Sequence, residues 1–188
     1  MALLLSGLAI FLGIHLLPTA PAIRGRFRAR FGENGYKLAF SLASAAGLAL
    51  IVAGFASSGD RVRVFDPLPA ARAIAPFAMT VSFVLLAAAN MRGHLRAFLK
   101  HPMLLGVLIW SAIHLLANGD RAGTVLFGAF LVYAIIDLAS AVSRDAVKSF
   151  QPVGRHDIIA VLAGVGAALG VMTLHRMFFG AAVVPFGV

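Results

Sequence analysis

Long apolar segments alternate with short polar segments along the whole chain. Six windows are almost wholly apolar, and they lie at 2–20, 37–56, 71–90, 102–118, 123–142 and 157–174. A helix needs about 20 mostly apolar residues to cross the hydrocarbon core of a bilayer, and the windows have about that length. They are rich in Ala and Leu and lack the alternation of barrel strands. The pattern predicts an all-α, polytopic membrane helix bundle with about six transmembrane helices.

The composition supports a membrane protein and excludes several other classes. Of the 188 residues, 61% are hydrophobic and 12% are charged, whereas soluble domains have about 45–50% apolar and about 25% charged residues. The polar segments leave no room for a soluble domain, so we expect residues 1–188 to form a single integral membrane domain. The chain has no cysteine, which excludes disulfides, zinc–thiolate sites and thiol catalysis.

The basic residues predict how the chain is oriented in the membrane. The net charge is +9, and eleven of the 16 Lys and Arg residues fall in the first, third and fifth loops between the windows, if Lys37 at the start of the second window is counted with the first loop. Cytoplasmic loops carry an excess of Lys and Arg, so we expect these loops to face the cytoplasm and both termini to lie outside it. The run Arg24–Arg30 is then a topology signal beside anionic lipid, and we expect no nucleic-acid partner.

The first window could be mistaken for a cleaved signal peptide. Ala20-Pro21-Ala22 has the small residues of a cleavage site, but arginines follow the apolar run and none precedes it. That charge order is the reverse of a signal peptide, so we expect the window to remain as a helix.

Small residues predict where the helices approach one another closely. Gly166 and Gly170 form a GxxxG motif in the sixth window, and Ser41, Ala45 and Gly47 lie along the second. Such residues let helix backbones come together in membranes. We expect both groups to lie at helix contacts.

Two histidines lie inside apolar windows, where ionisable groups are candidates for function. His15 stands alone in an apolar run, and we expect nothing local to satisfy it. In the fourth window Ser111, His114 and Asn118 recur at helical spacing on one face, with Trp110 one turn before the histidine. We expect the partner of His15 to come from another helix or from a ligand.

A carboxylate and a third histidine complete the set of candidate residues. Asp137 lies deep in the fifth window and needs a cation or a hydrogen-bond donor; Lys37 and Ser41 on the second window are expected to face it, either at a site or as a structural contact. His101 lies on the opposite side of its helix from His114 and precedes Pro102, so it is expected to cap that helix.

Paired imidazoles inside a membrane can serve several chemistries. Histidines on different helices can hold a b-type haem, and they can also transfer protons. A non-haem metal is less favoured, because few carboxylates lie near His15 and His114. The spacing alone leaves these alternatives open.

Five blocks of the chain, in order over roughly residues 1–145, resemble the NnrU family. They include an apolar stretch ending in His, a Gly-Glu segment followed by Tyr-Lys and Ser, a His-Pro segment, a Trp-to-Asn-Gly segment and a Phe-Gly pair leading to Asp. In this chain they are Phe11–His15, Gly32–Ser44, Lys100–Gly106, Trp110–Asp120 and Phe127–Asp137.

The resemblance implies a function and a cofactor. The NnrU family is associated with nitrite and nitric oxide metabolism in bacterial denitrification, which implies the bacterial inner membrane. It is similar to the 15-cis-zeta-carotene isomerase, which holds haem b with two histidines, and the motifs carry those ligands to His15 and His114. The isomerase has a Cys three residues before the second His, where this chain has Ser111. Chemistry that needs a thiolate ligand is therefore not expected.

Three functions follow as alternatives, and the sequence leaves open whether the protein is an enzyme. The first is a haem-b protein with redox or isomerase-like activity and a small apolar or gaseous ligand, in which Phe11 and Trp110 pack on the porphyrin. The second is a non-enzymatic membrane factor for assembly or sensing. The third is a methyltransferase, because Lys100–Gly106 also resembles isoprenylcysteine carboxyl methyltransferases, although their paired Glu motif is missing.

Overall fold

The described part of the chain is helical. The computed structural model describes residues 1–58, 62–147, 149–180 and 183–184, and no strand lies within these ranges. The helices are α1 (Ala2–Leu16, followed by the 3-10 turn Leu17–Thr19), α2 (Pro21–Ala56), α3 (Pro69–Ala88), α4 (His94–Leu99), α5 (Pro102–Asn118), α6 (Arg121–Ser143) and α7 (Gly154–Phe179). The predicted all-α polytopic bundle is confirmed.

Each of the six apolar windows corresponds to a helix. Five of these helices, α1 with its 3-10 turn, α2, α3, α6 and α7, are long and apolar enough to cross a membrane. The helix α5 is equally apolar but has only 17 residues. The protein is therefore a multi-pass membrane protein, and α5 is slightly shorter than the five segments that are long enough to span.

The second helix starts much earlier than its window predicts. It begins at Pro21, and the arginine-rich segment that was expected to be a loop is helical. Arg and Ala favour helix, and Pro is well tolerated at the first position of a helix. The helix is interrupted at Gly32, whose φ of 70° is open to glycine but unfavourable for other residues.

The helices pack as a row rather than as a closed ring. Along this row the order is α2, α1, α6, α5, α3 and α7. Within it, α1 packs mainly on α2 and touches α6 more lightly. Since α6 lies between α1 and α5, it separates the helices that carry His15 and His114.

Glycines set the closest approaches between helices. A Cβ atom at Gly7 on α1 would lie 2.6 Å from the backbone nitrogen of Ile51 on α2, and one at Gly47 would lie 2.8 Å from the nitrogen of Phe11. The close approach predicted at Gly47 is confirmed. The prediction for Gly166 and Gly170 is wrong, because an added Cβ would meet no atom within 4 Å at either.

The face of α7 that packs lies elsewhere on the helix. Gly164 lies against the backbone of Val84 on α3, and the neighbouring Ala160 and Ala168 are fully buried. These residues recur every four positions, so they share one face. Because α7 is apolar all round, its sequence does not distinguish this face from the one that carries the GxxxG motif.

The short helix α4 was not predicted, and a carboxylate from α7 holds it in place. Asp157 accepts hydrogen bonds from the backbone N–H groups of His94 and Leu95, both at 2.9 Å, and its Oδ2 lies 2.8 Å from His94 Nδ1. These bonds satisfy backbone donors that the first turn of a helix leaves free. Asp157 therefore joins the start of α7 to the start of α4.

Replacing Asp157 by alanine should loosen α4. The change removes the acceptor of two backbone donors and one ring donor, and we expect it to lower the melting temperature and the protection of these amides. His94→Ala removes only the hydrogen bond of the imidazole ring and should reduce the stability less. Asp157→Asn should have an intermediate effect. Hydrogen exchange at the amides of His94 and Leu95, together with thermal melting in detergent, measures the effect. Equal protection in Asp157→Ala and the unaltered protein would contradict the role of this carboxylate.

Candidate functional site

His15 lies in the last turn of α1 with one ring nitrogen bound to its own helix. Its Nδ1 is 2.7 Å from the carbonyl oxygen of Phe11. A carbonyl only accepts, so Nδ1 carries the proton and, in the neutral ring, Nε2 keeps its lone pair. The expectation that nothing local satisfies His15 is wrong, because side chains in a helix tilt back toward the preceding turn and bring the ring to this carbonyl.

His114 on α5 has the same arrangement. Its Nδ1 is 2.9 Å from the carbonyl oxygen of Trp110, one turn earlier. The same reasoning places the proton on Nδ1 and the lone pair on Nε2. The two half-buried imidazoles therefore present the same kind of donor atom, each oriented by a backbone carbonyl.

Aromatic rings surround both histidines. The ring of His15 stacks on Phe11 with centroids 4.2 Å apart, and it meets Phe40 at 5.0 Å and Tyr133 at 6.3 Å. The ring of His114 lies 4.8 Å from Phe127 and 5.5 Å from Trp110. The neighbours are thus mainly apolar and planar.

Both histidines contact α6, but at different levels. His15 meets Tyr133 and His114 meets Phe127, which are six residues apart and so about 9 Å apart along the helix axis. Phe130 lies between these levels, with its ring 5.8 Å from Phe11 and 5.3 Å from Trp110. A continuous series of aromatic contacts therefore links the surroundings of one histidine to those of the other.

The polar neighbours of His114 bond to backbone rather than to the imidazole. Ser111 is fully buried, and its hydroxyl lies 2.8 Å from the carbonyl oxygen of Val107. The side-chain amide of Asn118 donates to the carbonyl oxygen of His114 at 2.8 Å. Both side chains thus form hydrogen bonds within α5.

Asp137 has a partner on its own helix. The hydroxyl of Tyr133 donates to Asp137 Oδ2 at 3.1 Å, one turn away on α6. The expected pairing with Lys37 is wrong, since the Lys37 ammonium lies 3.3 Å from Glu33 Oε1 on α2. In both cases a partner four residues away is reached without bringing two helices together. Tyr133 also touches His15, so it connects Asp137 to that imidazole.

Three further predicted or missed residues lie outside this group. Ser41 is exposed on α2. His101 stands at the N-cap of α5, as expected, but makes no side-chain capping hydrogen bond. His175 on α7 was not predicted, and it lies near His114. His175 lies one residue beyond the window 157–174, so only a longer last helix would have included it.

The comparison with protein families identifies the chain. A family model described as NnrU protein matches residues 3–183. The chain belongs to the NnrU family. No curated protein and no solved structure matches it. The NnrU match extends through α7, so it includes His175, which lies beyond the motifs found in the sequence.

The NnrU site is poor in ligands for a free metal ion. Within the described ranges, no group of three or more His, Cys, Asp or Glu residues could hold a metal. Two imidazoles, each with its Nδ1 bound to a backbone carbonyl, are the donors that the arrangement offers. Such a set suits an ion that brings most of its own ligands.

Proposed function

We propose that this NnrU-family protein binds haem b inside the membrane, with His15 and His114 as its axial ligands. The observation that carries the proposal is that each imidazole donates Nδ1–H to a carbonyl of its own helix and keeps Nε2 for a metal. Haem iron is commonly held by neutral imidazole, and a fixed second nitrogen orients the ring and raises its basicity. The porphyrin brings four ligands, so two histidines suffice.

The surroundings of the two histidines also suit a porphyrin. Phe11 stacks on His15, and Trp110 lies beside His114, which provides planar apolar surfaces one turn from each donor. Such surfaces keep water away from the metal, as the hydrophobic shell of a metal site does. Haem binding is consistent with this donor set and this lining.

Haem binding requires one change in packing. Phe130 connects Phe11 to Trp110, so its ring occupies the path between the two histidines. The helix pair that must open is α1 and α6, whose contact is lighter than that between α1 and α2. We therefore expect the α1–α2 pair to shift as a unit and Phe130 to turn away.

The proposed activity follows from the histidines and their supports. When bound, haem would supply an iron that exchanges an electron, or that takes up a gaseous ligand such as nitric oxide in place of one of the two histidines. His15 and His114 fix its position, the aromatic residues exclude water, and Tyr133 with Asp137 places a polar pair beside His15. This supports a role in nitrite and nitric oxide metabolism or in isomerase-like redox chemistry. The excess of Lys and Arg in the odd-numbered loops supports a bacterial inner-membrane orientation with both termini outside the cytoplasm.

A visible absorption spectrum of the purified protein tests the proposal. The protein in detergent, reconstituted with haemin and then reduced, should show the Soret band and sharp visible bands of a bis-imidazole haem. His15→Ala and His114→Ala should each lose at least about nine-tenths of that signal, because each removes an iron ligand. Gel filtration and helical content by circular dichroism establish that the variants are folded.

His175→Ala is the matched control, because it removes a histidine near His114 that the proposal does not use. It should keep the spectrum of the unaltered protein. A spectrum that survives in His15→Ala and disappears in His175→Ala would replace His15 by His175 as ligand. Absence of a bis-imidazole spectrum from the folded, haemin-treated protein would overturn the proposal.

A further inference from the structure

A cavity of about 230 Å³ opens at one end of the bundle, away from His15 and His114. It lies where α4 turns into α5 and where the chain leaves α6, and the end of α3 closes it at Ala89. This is the end that carries the excess of basic residues. The cavity is thus separate from the proposed cofactor site.

In the part of the chain that the structure describes, three basic side chains line this cavity and no acidic one does. They are Arg96 on α4, Lys100 at its C-terminal end and His101 at the start of α5. Among the described residues, no carboxylate forms a salt bridge with Arg96 or Lys100. The positive charge of the cavity is therefore not neutralised by the protein around it.

The guanidinium of Arg96 is held in position by an aromatic ring. Arg96 is half-buried, and its guanidinium carbon lies 5.2 Å from the ring centroid of Phe150, which also lines the cavity. Stacking on an aromatic face leaves the N–H groups at the edge of the guanidinium free to donate. Arg96 is therefore ready to bind an anion with two oxygen atoms in a plane.

The other wall of the cavity is apolar. It is formed by the first turn of α5, at Pro102, Met103 and Leu104, and by Ala146 and Val147 after α6. On the exposed side of α4, the ring of Phe98 is 85% exposed. Exposed aromatic rings beside basic residues are typical of the level at which a helix meets lipid headgroups. The cavity thus pairs cations with an apolar floor at the membrane surface.

We propose that this cavity binds a phosphate group, through Arg96, Lys100 and His101. Arg is the residue best suited to phosphate, which it binds through two parallel hydrogen bonds, and Lys adds a point charge. The phosphate comes either from the headgroup of an anionic phospholipid or from free phosphate. The apolar wall favours the lipid, because basic pockets on the cytoplasmic side of membrane helices bind anionic headgroups.

Titration of the full-length protein with short-chain lipid tests the proposal. The protein in neutral detergent is titrated with dihexanoylphosphatidylglycerol by calorimetry, and the titration is repeated in the presence of inorganic phosphate. Arg96→Gln should weaken lipid binding by about tenfold or more, because a charge-assisted pair of hydrogen bonds is lost. Arg96→Lys keeps the charge and should lose less.

Arg92→Gln is the matched control, because Arg92 is exposed in the same loop but does not line the cavity. It should bind the lipid as the unaltered protein does. If Arg96→Gln weakens lipid binding and inorganic phosphate does not displace the lipid, the site is supported and the bound phosphate group is that of a lipid headgroup. If inorganic phosphate displaces the lipid and Arg96→Gln also weakens the binding of phosphate, the site is supported and its ligand is free phosphate. Equal losses in Arg96→Gln and Arg92→Gln, or no binding of either probe to the folded protein, would overturn the proposal.

Discussion

Replacing Gly54 by alanine is expected to separate α1 from α2 or to prevent the protein from folding. The added Cβ would overlap the backbone nitrogen of Leu4 and lie 2.7 Å from its Cα. Backbone atoms inside a helix cannot turn aside as a flexible side chain can, so the whole helix has to move. Overpacking costs about 1–3 kcal/mol where side chains can adjust, and here we expect the upper end of that range or more. Thermal melting of the detergent-solubilised protein measures the loss.

Gly13→Ala is the control for this change. A Cβ at Gly13 on α1 would meet no atom within 4 Å. Since alanine favours helix over glycine by about 1 kcal/mol, this variant should be as stable as the unaltered protein or more stable. A melting temperature for Gly54→Ala equal to that of Gly13→Ala would show that α1 and α2 do not approach as closely as described.

Replacing Gly164 by alanine should disturb the packing of α7 on α3. The added Cβ would overlap Val84 Cα and lie 2.6 Å from its backbone nitrogen. Since the Val84 backbone is part of α3, the helices have to move apart, and we expect a loss of about 3 kcal/mol or more and a low yield of folded protein. The yield after gel filtration and the melting temperature report the effect.

Gly166→Ala on the same helix is the control. It tests whether an added methyl group destabilises the protein at any position of α7. A Cβ there meets no atom within 4 Å, so the variant should fold normally. If Gly166→Ala were the damaging change and Gly164→Ala the harmless one, α7 would pack through its GxxxG motif and the orientation described above would be wrong.

The six apolar helices could be predicted from hydropathy, whereas the faces through which they pack could not. Length and apolar content follow from the bilayer, so α3 and α6 begin and end within a few residues of their windows. A helix that is apolar all round has no periodic pattern to mark its buried face. Gly164 and Gly166 therefore look alike in the sequence, although only Gly164 touches another helix.

The sequence identified candidate residues but not their hydrogen bonds. His15, His114 and Asp137 were identified because ionisable groups are rare inside a membrane span. The partners of His15 and Asp137 were sought on other helices, but each is found four residues earlier on the same helix. Residues four apart on a helix are neighbours, so such partners are reached without any contact between helices.

The row of helices described above bears on how the chain is assembled during synthesis. Since α1 and α2 are consecutive and pack on each other, they can pair as soon as both have emerged from the ribosome. The helix α3 packs on α5 and α7, which are made later, so it has to wait in the membrane without its partners. The helix α7, which is synthesised after α3, thus completes the surroundings of that helix, and premature termination before Gly154 would leave α3 exposed along one side.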